Sequence, residues 1–296
     1  MTVAADEFAI MQDWNNHKLV QQSTTIDDLF QRPPNIGVVI GTFAALPYIH
    51  LQLEARRRFY PGVPLLVHDD GSHQRDTLRS LCRSYDCDFE SNSVRQPPCI
   101  GDLTAFLGGL VWAKARGVDL MTKLSRRWIF LTDWTKSLSS LAMESQYATF
   151  CSYTTTFDFG FRTECLGLAV AQWGEEVFLN DLWSYIHRPR GVFVEGYLHE
   201  FARRLEGLNS QRAERWRAAH PMTESRTGYA LWTLMGTDRC EKSPFYLWHD
   251  SRTSEDYHHQ ALEWGLNYSL ADFQDPNQGA GDGTGSATPQ PTVQAS

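Results

Sequence analysis

Ile36-Gly37-Val38-Val39-Ile40-Gly41-Thr42 and, one helix-length later, Pro64-Leu65-Leu66-Val67-His68-Asp69-Asp70-Gly71-Ser72 are the stretches on which the fold turns. Each begins as a short apolar run with no polar alternation, the pattern of a strand buried on both faces. Each ends in residues suited to a turn. Between them Leu46 to Tyr60 reads as an amphipathic helix with Ile49, Leu53 and Phe59 on its apolar side, stopped by Pro61-Gly62.

Working outward, the same alternation continues. A helix over Gln74 to Tyr85 carries Leu78, Leu81 and Cys82 on one face and leads to a short strand, Asp86 to Glu90. Gly101 to Arg116 is a third helix, Gly117 stops it, and Val118 to Leu124 is a fourth strand. Successive strand–helix–strand steps predict an α/β fold: a mostly parallel central sheet with right-handed crossovers and flanking helices. A helix (Trp134 to Met143) and a strand (Tyr147 to Tyr153) extend it. Gly160 to Gln172 reads as a strand pair, and Glu175 to Ile186 and Gly196 to Leu205 as helices. Residues 210–270 are rich in Trp, Tyr and His without a clean period. From Asp275 large apolar residues almost vanish, which predicts a disordered tail. The expected organisation is a lead-in over 1–34, a ligand-binding α/β region over 35–155, an acceptor-side region of the same domain over 156–273, and the tail over 274–296.

The bulk properties limit the function. With 296 residues, 42% of them hydrophobic, a full core is available, and a net charge of −8 disfavours binding nucleic acid or anionic membrane through bulk charge. Basic residues still cluster locally, as at Arg126-Arg127. Six cysteines show neither a CxxC pair nor zinc-finger spacing, so reduced, partly buried thiols are expected. Met1 to Asn16 has early acids and no apolar run, and no stretch approaches the roughly 18 apolar residues of a membrane span. A cytoplasmic protein is the expectation.

In an open parallel sheet ligands bind beyond the carboxyl ends of the strands. Three such ends carry polar residues: Thr42-Phe43, Asp69-Asp70-Gly71-Ser72 and Ser125-Arg126-Arg127. Carboxylates there can accept hydrogen bonds from a ribose or a base edge, an aromatic can stack on the base, and arginines can clamp a diphosphate. Neither GxGxxG after the first strand nor GxxxxGK[ST] occurs, which disfavours dinucleotide and P-loop sites.

Over roughly residues 35–127 this pattern resembles the opening of family-2-type glycosyltransferases of the GT-A fold: a strand ending in Gly41-Thr42-Phe43, then a second ending in Asp69-Asp70-Gly71-Ser72. The resemblance implies a nucleotide-sugar donor (UDP, GDP or dTDP type), with Thr42, Phe43, Asp69 and Asp70 at the nucleoside. The plainer alternative for Asp69-Asp70-Gly71-Ser72 is an ordinary turn before a helix. The departure comes at the fourth strand. The family usually carries an Asp-x-Asp metal motif there, and this chain reads Ser125-Arg126-Arg127. Arginines cannot ligate a divalent cation; they can neutralise a diphosphate directly, be plain surface charges, or mark a domain that has lost catalysis. No cofactor is expected, and a metal is not favoured. The literal Asp86-Cys87-Asp88 opens the third strand, at the wrong edge. Asp133 reads as a helix cap.

An inverting transfer also needs a carboxylate to take the acceptor proton. Glu195, between an apolar run and a helix, is the first candidate, Glu164 the second, with Glu175 and Glu176 behind them. His249-Asp250 and His258-His259 lose a metal-binding partner when the Asp-x-Asp is missing. Trp232, Tyr246, Trp248, Tyr257 and Trp264 are either an acceptor wall or core. Two functions remain open: a metal-independent glycosyltransferase, and a non-catalytic glycosyltransferase-like nucleotide- or partner-binding protein. A nucleotidyltransferase is disfavoured, because Ala44-Ala45-Leu46-Pro47 stands where its Gly-rich basic loop belongs.

Overall fold

The computed structural model describes residues 28–97, 100–151, 163–187, 194–205, 211–219, 230–231, 243–248 and 252–274. In chain order the elements are β1 Ile36–Thr42, α1 Leu46–Phe59, β2 Leu65–Asp69, α2 Arg75–Ser84, β3 Asp88–Ser91, α3 Ile100–Ala115, β4 Leu120–Ser125 and β5 Ile129–Phe130. There follow α4 Thr135–Ser145, β6 Thr149–Cys151, β7 Cys165–Ala169, α5 Val170–Trp173, α6 Glu176–His187 and α7 Val194–Leu205. The chain continues through α8 Gln211–Ala219, β8 Ala230–Leu231, β9 Tyr246–Leu247, α9 Ser254–Glu263 and a 3-10 turn, Leu270–Phe273. The expected tail lies outside the described residues.

The main sheet has the order β3-β2-β1-β4-β7-β6-β8. All of its strands run one way except β7, which is antiparallel to β4 and β6. The chain therefore has the mostly parallel α/β architecture implied by the GT-A resemblance. The strand order reverses at β1: α1 and α2 connect strands on one side of it, and α3 crosses to β4 on the other. Right-handed crossovers then place α3 on the opposite face from α1 and α2.

Both faces are covered, so Val38, Val39, Ile40, Leu66 and Val67 are wholly buried. Glycines let α3 approach closely: a Cβ on Gly109 would lie 2.9 Å from both Val39 methyls. Helix α1 is enclosed on two sides. Ile49 and Leu53 face the main core, while Tyr48, Leu51 and Ala55 join a second core with Ile129, Leu247, Tyr257 and Phe273. This second core is built by the β5–β9 ribbon, α9 and the 3-10 turn. It explains why α1 carries only a few plainly outward positions.

The structure differs from the sequence reading after β6. From Thr163 onward the expected strand pair is one strand, β7, followed by the short helix α5. In the sheet β7 lies between β4 and β6, a position the sequence reading leaves open. The aromatics of the second half are mostly core. Trp128 stacks on Tyr246 at 4.6 Å, and Trp248 and Tyr257 are buried. Trp264 packs on Phe59 beneath Arg58, and Trp232 lies outside the described residues. Cys82, Cys151 and Cys165 are buried and Cys87 is half-buried. No helix among the described residues is long and apolar enough to cross a membrane.

Candidate functional site

The register brings the three polar strand ends to one edge. Thr42 pairs with Asp69 across β1 and β2, and Gly41 with Ser125 across β1 and β4. The Asp70 N–H donates to the Thr42 carbonyl at 2.8 Å, carrying the β1–β2 ladder into the turn. Asp69 is fully buried. Its Oδ2 accepts the Ser72 N–H (2.9 Å) and the Ser91 hydroxyl (3.0 Å), which ties the turn to β3. Its Oδ1 is buried with no hydrogen-bond partner among the described residues, and the same holds for Thr42 Oγ1, Ser72 Oγ and Ser125 Oγ. A buried unpaired polar atom costs about 1–3 kcal/mol. Four such atoms lie at or just beyond the carboxyl ends of the neighbouring strands β1, β2 and β4.

Gly71 is dictated by geometry. Its φ is +69°, and a Cβ would lie 2.5 Å from the Val94 carbonyl carbon and 2.6 Å from the Arg95 nitrogen. The segment after β3 therefore rests directly on the turn. Asp70 secures that segment: its Oδ1 accepts the Asn92 side-chain amide (2.7 Å) and the Gln96 N–H (3.1 Å). Asn92 also donates to the Thr104 hydroxyl on α3 at 2.9 Å. The Asp70 carboxylate packs against Gly101, in the first turn of α3, where the helix dipole favours an anion. The Arg95 guanidinium stacks on the Phe43 ring at 3.9 Å. Asn92 and Arg95 were not singled out from the sequence, because nothing in a loop without periodicity marks either one.

At the end of β4, Arg126 donates to the Phe43 carbonyl at 2.9 Å and so bridges the two strand ends. Arg127 turns the other way. Its guanidinium lies over the Tyr48 ring and its carbonyl accepts the Tyr257 hydroxyl at 2.6 Å, which seats it against α1 and α9. The structure thus keeps Ser125 and Arg126 at the crevice and separates Arg127 from them.

Because β7 is antiparallel to β4, its start lies at the crevice edge, and the Ser125 N–H donates to the Glu164 carbonyl at 2.7 Å. Glu164 therefore stands beside the strand ends. Glu195 is on the first turn of α7, which packs antiparallel to α6 through the pairs Tyr185–Tyr197 and Phe178–Phe201; its side chain lies outside the described residues. Glu175 and Glu176 follow β7 at the opposite, amino edge. Asp88 is also at that edge, accepting from Trp112 Nε1 (2.7 Å) and Arg116 (2.6 Å). Asp133 accepts the Thr135 N–H and hydroxyl at the entry to α4. His258 contacts the Tyr268 carbonyl at 3.1 Å, and His249 and Asp250 lie outside the described residues. Among the described residues no group of three or more His, Cys, Asp or Glu could hold a metal ion. Two cavities of about 660 and 500 Å³ lie at the amino edge, lined by such residues as Pro61, Pro64 and Lys136 in one and Arg32, Asp119 and Glu175 in the other. The carboxyl edge, where open parallel sheets bind their ligands, is the opposite end.

No family model and no curated protein matches the sequence. Among solved structures the chain is similar to the apo-form glycosyltransferase GlyE of Streptococcus pneumoniae TIGR4 (12% identity, TM-score 0.47, covering 82% of this chain and 62% of that one). It is also similar to S. aureus TarS 1-349 in complex with UDP (10% identity, TM-score 0.39, 47% and 48%). A cytidylyltransferase from Leptospira borgpetersenii serovar Hardjo-bovis matches as well (12% identity, TM-score 0.42, 81% and 92%). The chain spans about half the length of the TarS structure and under two thirds of GlyE.

Proposed function

We propose that this chain binds a nucleotide sugar at the carboxyl edge of β1, β2 and β4 and transfers the sugar to an acceptor hydroxyl, acting in the cytoplasm. The observation that carries this reading is the row of buried unpaired polar atoms, Thr42 Oγ1, Asp69 Oδ1, Ser72 Oγ and Ser125 Oγ, along that edge. A nucleoside brings N–H and O–H donors for Asp69 Oδ1, and hydroxyls can donate or accept. In this reading the turn is structural as well as functional: Asp70 holds the wall of the site, and Asp69 keeps one buried oxygen behind it, without a partner among the described residues. In the transfer the acceptor oxygen forms a bond to the anomeric carbon with inversion while its proton passes to a carboxylate. The bond from that carbon to the diphosphate breaks. Glu164, beside Ser125, is the better-placed base of the two candidates, and Arg126 meets the charge of the leaving diphosphate.

The donor set at the end of β4 does not fit a divalent cation, since Ser125, Arg126 and Arg127 offer one hydroxyl and two cations where oxygen anions are required. We therefore read the reaction as metal-independent. A non-catalytic nucleotide binder is the second reading, favoured by how much of Asp70 and Arg126 is committed to internal hydrogen bonds.

A panel of nucleotides and nucleotide sugars in a thermal-shift assay, followed by donor hydrolysis with and without EDTA, tests this. Turnover that persists in EDTA and falls far more than the melting temperature in Arg126→Ala is expected. Turnover abolished by EDTA and restored by Mn²⁺ refutes metal independence. Binding without turnover of any donor leaves the second reading.

A further inference from the structure

Lys123 lies in the middle of β4 with 1% of its surface exposed. A lysine is almost never buried so completely unless paired. Its Nζ donates to an Asp102 carboxylate oxygen on the first turn of α3 and to the Thr163 carbonyl at 2.9 Å, and it lies 5.0 Å from the centre of the Phe106 ring. The pair lies over Gly41: a Cβ there would touch Asp102 Oδ1 at 3.5 Å and Lys123 Cε at 3.8 Å, both ordinary contacts. Two residues along β4, Ser125 holds the Glu164 carbonyl. Residues 163 and 164 are thus gripped by alternate positions of one strand, Lys123 through its side chain and Ser125 through its backbone.

We infer that Lys123 and Asp102 form a buried strut that fixes the Thr163–Glu164 segment against α3 and thereby positions Glu164; this rests on the glycosyltransferase reading above. An ammonium in apolar surroundings keeps its oxygen partners because releasing one leaves a buried charge under-satisfied. The strut also joins the two sides of the crevice. Asp102 follows Gly101, against which the Asp70 carboxylate packs, so the wall of the donor side and the start of β7 are referred to the same turn of α3. Lys123 is a positioning residue, since its ammonium is covered by protein.

The test uses the full chain with Lys123→Met, Lys123→Arg and the double variant Lys123→Met/Asp102→Asn, which leaves no unpaired buried ion should the single Met variant fail to fold. Amide hydrogen exchange reads the strut without reference to activity. In the double variant the Ser125 amide is expected to exchange about tenfold faster, while the amides of Val39 and Val67 in the sheet centre keep their protection. The kcat for transfer is expected to fall about tenfold with the donor KM little changed, and Lys123→Arg to recover part of both losses. Unchanged Ser125 exchange, or faster exchange spread equally over Val39 and Val67, overturns the strut. A kcat and KM that move together overturn its positioning role. A wild-type chain that binds no nucleotide and turns over no donor overturns the glycosyltransferase reading instead, and the exchange measurement then decides the strut alone.

Discussion

Gly71→Ala separates the two reasons for a glycine in the turn after β2. The backbone there has φ +69°, which costs an L-residue about 1–2 kcal/mol. The new Cβ would also meet the Val94 carbonyl carbon at 2.5 Å and the Arg95 nitrogen at 2.6 Å. Those are backbone atoms that cannot rotate aside, and overpacking of this kind costs about 1–3 kcal/mol more. Gly62 is the internal control. Its φ is +84°, and among the described residues nothing lies within 4 Å of an added Cβ. Gly62→Ala should therefore lose about 1–2 kcal/mol and Gly71→Ala about 2–5 kcal/mol. Urea unfolding with unchanged m-values measures both losses. The consequence for binding should differ as well. Displacing the Val94–Arg95 backbone moves Arg95 from the Phe43 ring and the Gln96 N–H from Asp70, so Gly71→Ala should weaken nucleotide binding. Gly62, at the amino edge, should leave it at the wild-type value. Equal stability losses in the two variants, or unaltered nucleotide affinity in Gly71→Ala, would refute the argument that the turn supports the wall of the site.

Glu54 is buried in α1 and is held by Arg57 (2.8 Å) and Arg58 (2.6 Å), and these bonds, the one to Arg57 first, lower its pKa from 4.5 to about 2. A lowered folded-state pKa means the contribution is complete above about pH 4.5 and is lost as the pH falls through about 2. Glu54→Gln should cost about 1–2 kcal/mol at pH 7, with solvent around the exposed Arg57 limiting the effect, and the gap from wild type should close near pH 2; a gap that does not change with pH contradicts the assignment. Burial pushes the Cys82 thiol up to about 12 and the Cys87 thiol up to about 11. Iodoacetamide at pH 8 should therefore leave both unmodified in the native chain and label them once urea is added; native labelling at the rate of a free thiol would show that these positions open.

What could be read from the sequence follows the physics of each element. Strands β1, β2 and β4 are legible because burial on both faces writes an unbroken apolar run, and Pro61-Gly62 and Gly117 punctuate the helices between them. The position of β7 is not legible, since Cys165-Leu166-Gly167-Leu168-Ala169 suits any buried strand and its neighbours are chosen by packing. The β5–β9 ribbon has two residues in each strand, too few to carry a period. At the candidate site, the Asp69-Asp70-Gly71-Ser72 turn is legible through its distance from the first strand, which carries the resemblance. Arg126 and Arg127 looked alike, and only the packing of Tyr48 and Tyr257 separates them. Lys123 reads as one polar interruption of a strand. Its meaning depends on Asp102 and Thr163, which only the folded sheet brings together.

The arrangement of charge along the crevice bears on how a ligand would lie in it. The acceptor atom Asp69 Oδ1 is at the end of β2, the hydroxyl of Thr42 at the end of β1, and Ser125 with Arg126 at the end of β4. Adjacent strands are about 4.8 Å apart, so the acidic and basic ends are separated by about 10 Å measured across β1. A ligand matching that polarity has hydrogen-bond donors at one end and an anion at the other, as a nucleoside joined to a diphosphate does. The proposed metal independence draws on the same polarity: Arg126 supplies positive charge at the β4 end, and the carboxylates Asp69 and Asp70 are engaged with Ser72, Ser91, Asn92 and Gln96 on the β2 side. In the proposed reading Asp69 and Asp70 lie at the nucleoside end and hold its wall, while the character of the reacting end falls one strand beyond β1, to Ser125, Arg126 and the segment that Lys123 holds beside them.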